Sequence, residues 1–216
     1  YFAVVFGIFC MTVFVIITRY SSSIYGNEGY LTNTLPLKPS QIILAKLINF
    51  LIWIFISYFV IFVSMFILFP FEFFIRNIIK DTEFYQDLNT IVKEFFSSKY
   101  IFISILQLIY NFFAHVQSIL IIFLSIAIAN LFKSYKVVVG VIAFFIISII
   151  FSFISASVTY STISNLDVPV IYGDADPTIF LSLRNGTITS ILYSLISSVL
   201  LFFGVHYLHT HNLNLE

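Results

Sequence analysis

The sequence predicts an all-α, polytopic membrane helix bundle, and three observations carry that prediction. Sixty per cent of its 216 residues are apolar and only 9% are charged, against roughly 25% charged in a soluble domain. With a mean hydropathy of +1.06, a water-soluble globule of this size could not cover its surface. The few charges are also gathered rather than scattered, leaving long charge-free stretches of the length that crosses ~30 Å of hydrocarbon. Finally, those stretches lack the two-residue alternation of barrel strands: Ile119 to Ile128 reads Ile-Leu-Ile-Ile-Phe-Leu-Ser-Ile-Ala-Ile. Inside lipid each backbone N–H and C=O must then be satisfied within its own segment, which requires helices.

Taken in order, the charge-free stretches run from Tyr1 to Thr18, Leu47 to Phe71, Tyr100 to Phe132, Val137 to Leu166 and Thr187 to Asn214. Five spans are predicted. The third stretch has 33 residues, about 50 Å of helix at ~1.5 Å per residue, so it must tilt, bend or project beyond the bilayer. The chain opens at Tyr1 inside an apolar run, and a further helix ahead of it is expected, which would make six. One transmembrane domain over 1–216 is the simplest organisation.

Four connections hold the charges. The first, 19–46, carries Arg19, Glu28, Lys38 and Lys46; the second, 72–99, is long and mixed in sign. The third is the tight turn Lys133 to Lys136, and the fourth holds Asp167, Asp174, Asp176 and Arg184. Lys and Arg divide evenly between odd and even connections, but a short basic turn such as Lys133 to Lys136 reads as cytoplasmic. The segment 19–46 then falls on the cytoplasmic side, 72–99 on the extracytoplasmic side, and the C-terminus inside.

Several chemistries are excluded. Ten Lys plus Arg balance ten Asp plus Glu, so no basic field recruits nucleic acid. Cys10 is the single cysteine, so the chain has no internal disulfide or thiolate cluster. No pair of its seven glycines frames a phosphate-cradling loop, so the chain is not itself a P-loop ATPase. No HExxH motif occurs, and no cofactor or metal is expected in this chain.

The polar residues inside spans are the remaining candidates. His115 is the one ionisable side chain well within a span; Asn111 shares its helix face at i, i+4, and Gln117 lies nearby. These three read either as the polar lining of a translocation path or as interhelical hydrogen-bonding groups. His206, His209 and His211 read as a solvated helix end rather than a metal tract. Asp174 and Asp176 beside Pro177 read as loop chemistry.

The first connection carries the most information. Glu28 opens a helix-capable run, Tyr30, Leu31, Thr34 and Leu35 follow at helical spacing, and Pro36 and Pro39 stop it. Ser40 is placed to cap the next helix, which carries Lys46. The pattern is a short amphipathic helix joined by a stiff proline turn to a membrane helix, either a force-transmitting element or a passive interfacial helix.

Glu28-Gly-Tyr-Leu-Thr-Asn-Thr-Leu-Pro-Leu, followed by Ser40 and Ala45-Lys46-Leu47, resembles the cytoplasmic signature between the second and third spans of type 2 ABC-transporter permeases. The wording covers about Glu28 to Leu47; by span count and sidedness the likeness extends over most of the chain. The resemblance implies that Glu28, Gly29, Tyr30, Leu31, Thr34, Leu35 and Pro36 form a coupling helix that docks on a separate ATP-binding cassette subunit, which would hold ATP and Mg. It further implies a second permease subunit, identical or paralogous, and a bacterial cytoplasmic membrane location. The expected activity is then export of a hydrophobic or amphipathic cargo (peptide, toxin, antibiotic or lipid-like molecule) by alternating access, the chain itself being no enzyme. The long charged connection 72–99 departs from the family pattern. Two alternatives stay open: a membrane-embedded enzyme using His115, and a non-transporting scaffold or sensor.

Overall fold

The structure, a computed structural model, describes residues 2–26, 29, 37–76, 98–132, 134–164 and 177–211. Among them the only regular structure is five long α-helices: α1 Phe2–Tyr25, α2 Pro39–Arg76, α3 Ser98–Ala129, α4 Lys136–Ser164 and α5 Pro177–His211. Each contains a segment long and apolar enough to cross a membrane, the shortest being Val5–Tyr25 with 21 residues. The chain is a multi-pass helical membrane protein, as its sequence predicts.

The helix ends correct the charge-based boundaries. α1 does not stop at Thr18 but continues through Arg19 to Tyr25. α2 begins at Pro39 and carries Lys46 within it, and α5 begins at Pro177, ten residues before Thr187, taking in Arg184. Breaking a helix in lipid strands backbone groups, each at a cost of several kcal/mol, whereas a long cationic side chain can bend toward the interface. The helix therefore runs past the charge.

α2 also starts differently from expectation. Pro39 occupies the first helical position, where its missing N–H is no loss. The cap is not Ser40: the Gln41 side-chain oxygen accepts from the Lys38 backbone N–H at 3.1 Å, the reciprocal half of a capping box. At the α3–α4 turn, Tyr135 adopts a positive φ of 60° and its carbonyl accepts from the Val139 N–H at 3.0 Å, starting α4.

The expected coupling residues Glu28, Tyr30, Leu31, Thr34, Leu35 and Pro36 lie outside the described residues, as do positions 77–97 of the second connection, Asp167, Asp174 and Asp176. Gly29 is described and buried. Its N–H donates to the Gly26 carbonyl at 2.8 Å. A Cβ there would collide with the carbonyl oxygen of Ile24, so only glycine lets the chain fold this closely against the end of α1.

α3 is the central helix and packs against all four others, while α1 touches neither α4 nor α5. The buried core is built from the C-terminal half of α1 (Ile16, Tyr20, Ile24), the start of α2 (Ile43, Leu47, Phe50, Leu51), Ile119 to Phe123 of α3, and Leu201 and Val205 of α5. With helices alternating in direction, these pieces all lie at one end of the bundle, where the segment between α1 and α2 also emerges. We call it the packed end.

Tyr20 anchors that end. Its ring stacks on Phe123 with centroids 3.7 Å apart, and Phe50 meets Phe123 edge-on at 5.7 Å. The three fully buried rings tie α1, α2 and α3 together. Among the described residues the Tyr20 hydroxyl has no hydrogen-bond partner. Burying an unsatisfied hydroxyl costs about 1–3 kcal/mol. Tyr20→Phe is therefore expected to hold or raise the thermal unfolding midpoint in detergent. Tyr20→Ala is expected to lose about 3–5 kcal/mol, as aromatic-to-alanine changes in cores do.

Candidate functional site

Away from the packed end, side-chain hydrogen bonds join apolar contacts such as the Phe55–Phe112 stack between the helices. Between α1 and α2 the Thr12 and Ser57 hydroxyls lie 3.1 Å apart. Each hydroxyl has one proton, so one donates across this contact while the other donates to its own helix carbonyl, Ile8 for Thr12 or Trp53 for Ser57. Between α2 and α3, the Tyr58 phenol and the Nε2 of His115 are 2.9 Å apart. The phenol donates when Nε2 is the unprotonated nitrogen of a neutral imidazole.

Between α4 and α5 three contacts run in series. The Tyr193 hydroxyl donates to the Phe151 carbonyl at 2.6 Å. The Thr159 and Ser190 hydroxyls are 3.4 Å apart, and Thr162 donates to Thr189 at 3.4 Å. Gln117 of α3 faces the Tyr193 side chain, so Tyr193 sits where α3, α4 and α5 meet.

The three polar residues singled out on α3 are thus divided. His115 turns to α2, Gln117 turns to α5, and Asn111, though on His115's face, is exposed. They do not converge on one site. Two residues apart on a helix is about 200° of rotation, so Gln117 cannot share the face of His115.

A different set does converge. Gln107 and Tyr110 of α3, Thr159 of α4, and Ser182, Leu183, Gly186, Thr187 and Ser190 of α5 line a cavity of about 470 Å³. It lies in the half of the bundle opposite the packed end. A Cβ on Gly186 would meet nothing within 4 Å, because that face of α5 looks into the cavity. Among the described residues every wall carries a hydroxyl or amide and none carries a charge. Such a lining can hold a neutral or amphipathic molecule through hydrogen bonds.

Sequence reasoning missed this cavity, yet a signal for it exists. Ser182, Gly186, Ser190, Ser194 and Ser198 recur every fourth residue along α5, a small-residue face of the kind that lets membrane helices approach closely. Toward the packed end the same face closes, with Ser194, Ser197 and Ser198 buried. Toward the other end it opens into the cavity.

Of the C-terminal histidines His211 is exposed, as expected of a solvated helix end, but His209 is 1% exposed, and among the described residues its Nδ1 has no partner. His211 bonds Thr210 through Nδ1 at 2.8 Å. Among the described residues no three metal-ligating side chains group together.

Comparison with protein-family models, curated proteins and solved structures returns no match to this chain.

Two measurements test the geometry. A double-mutant cycle of Tyr58→Phe and His115→Leu should give a coupling of about 0.6–1.7 kcal/mol, the range of interhelical hydrogen bonds in membranes; zero coupling would remove the α2–α3 bond. Gly186→Ala should stabilise α5 by about 0.8–1 kcal/mol through helix propensity, since its methyl enters open space. A destabilisation would mean that this face is closed.

Proposed function

We propose that the chain is the membrane subunit of an ATP-binding-cassette exporter. Two such subunits would pair, and separate ATPases would drive them by pushing on the segment between α1 and α2. The observation that carries this reading is where that segment leaves the bundle. It emerges from the packed end, beside Tyr20, Phe50 and Phe123, and Gly29 folds it tightly against the α1 terminus. Force applied there meets stiff, interlocked side chains rather than a loose loop.

The opposite half supplies what a transporter also needs. Its helices meet through hydroxyl pairs around an uncharged polar cavity. Hydroxyl pairs of this kind are worth about 1 kcal/mol each and can exchange partners. A bundle rigid at one end and polar at the other suits alternating access for a neutral or amphipathic cargo. The wording Glu28 to Leu47 adds the link to a nucleotide-driven partner, placing the segment on the cytoplasmic side of a bacterial membrane.

The reading is tested first by whether the neighbouring reading frame encodes a P-loop ATPase, and then in vesicles containing the chain and that ATPase. Glu28→Ala, Leu35→Asp and Gly29→Val are each expected to leave basal ATP hydrolysis standing. Nucleotide-dependent cargo movement should fall by roughly 5–150-fold, the usual range of coupling between distant sites. Unchanged movement in all three variants, or no nucleotide-dependent movement in the parent, would rule the proposal out.

A further inference from the structure

α1 and α2 leave a continuous groove along one side of their contact. Its first half is lined by Gly7, Ile8, Met11, Thr12, Val15, Trp53 and Ser57 and holds about 550 Å³. Its second half shares Val15 and Trp53 with the first and adds Arg19, Ser23, Lys46, Asn49 and Phe50, in about 440 Å³. The two halves differ sharply in chemistry.

The first half is apolar to any occupant. Its only side-chain polar groups among the described residues, Thr12 and Ser57, have their protons taken up by each other or by their own helix carbonyls. A Cβ on Gly7 would meet nothing within 4 Å, so the groove stays open at that end. The second half presents two cations. Among the described residues neither Arg19 nor Lys46 has an ion pair or hydrogen bond, and Asn49 likewise offers a free amide. Two like charges facing one cavity repel unless an anion sits between them. Arg19 is the sole charged residue of α1, and Trp53 is the chain's only tryptophan; tryptophan favours the headgroup level of a bilayer.

We propose that this groove binds one anionic phospholipid, with its phosphate between Arg19 and Lys46 and an acyl chain running past Val15 and Trp53 toward Gly7. The dimensions agree. Arg19 to Gly7 is twelve residues of α1, about 18 Å of helix, close to one leaflet of a ~30 Å hydrocarbon core. Arg19 lies six residues from the α1 terminus, about 9 Å, which its long side chain can reach across toward the headgroup layer. The planar guanidinium takes a phosphate bidentately while the Lys46 ammonium acts as a point charge. The proposal rests on α1 and α2 alone and on no assignment of transport.

Native mass spectrometry of the full chain, purified in detergent with equal phosphatidylglycerol and phosphatidylcholine, tests it. The parent should retain one phosphatidylglycerol in preference to phosphatidylcholine. Arg19→Gln or Lys46→Gln should each reduce that preference about fivefold, and the pair roughly thirtyfold, at the strength expected per basic residue near a membrane surface. Lys136→Gln, a cation on α4, should leave it unchanged, and the charge-keeping pair Arg19→Lys with Lys46→Arg should preserve it in a sample known to be folded. Gly7→Leu with Met11→Trp should lower retention of both lipids without altering their ratio, and glycerol 3-phosphate should not displace the lipid. An unchanged preference in the double variant overturns the proposal. So does an equal loss in Lys136→Gln, displacement by glycerol 3-phosphate, or a change in subunit number in place of lipid loss, which would give the groove to a second copy of the chain.

Discussion

In hydrocarbon a backbone amide that leaves its helix finds no water, and much of this structure follows from that constraint. It is why α1 runs unbroken past Arg19, α2 past Lys46 and α5 past Arg184. It is also why the turns begin only where a specific device ends or starts a helix. Gly29 folds back under the Ile24 carbonyl, Pro39 with Gln41 opens α2, and Tyr135 in the left-handed region opens α4. Once the backbone is satisfied internally, only side chains decide how the helices associate.

Association in lipid lacks the hydrophobic drive that collapses a soluble core, because the surrounding tails are as apolar as leucine. What remains is shape and hydrogen bonding, and the molecule separates the two along its length. At the packed end Tyr20, Phe123 and Phe50 interlock as rings, with the small serines of α5 allowing α3 to approach. In the other half, hydroxyl, phenol and imidazole groups bridge the helices. The first kind of contact resists deformation because close-packed atoms have few alternatives. The second is adaptable, since a hydroxyl can trade one acceptor for another.

The number and type of elements are legible in the sequence because both depend on composition over long windows. Their ends are not, because a charge is a poor boundary marker when its side chain can reach the interface. Ser40 looks like a cap by residue type, yet the neighbouring Pro39 and Gln41 define the helix start through backbone geometry. The polar candidates show the same division. His115 was visible as an intramembrane ionisable residue, but its partner Tyr58 stands 57 positions earlier, and nothing local joins them. Gln117 was visible too, though its approach to Tyr193 depends on which way α5 faces. The cavity around Gly186 was recoverable only by reading the four-residue spacing of small residues on α5 as a surface.

The contact pattern also separates the helices mechanically. α3, α4 and α5 pack mutually, whereas α1 reaches that trio through α3 alone and α2 reaches it through α3 and α5. A relative movement that keeps α3, α4 and α5 intact must therefore slide α1 and α2 over α3. Described contacts that resist it include the Tyr20–Phe123 and Phe50–Phe123 ring contacts at the packed end, and the Phe55–Phe112 stack and Tyr58–His115 bond farther along. Because the rings at the packed end are fully buried while Phe55 and Phe112 are exposed, the softer response to a push on the segment between α1 and α2 is a pivot about the buried rings. Such a pivot parts α2 from α3 at the Tyr58–His115 contact and leaves the aromatic end closed.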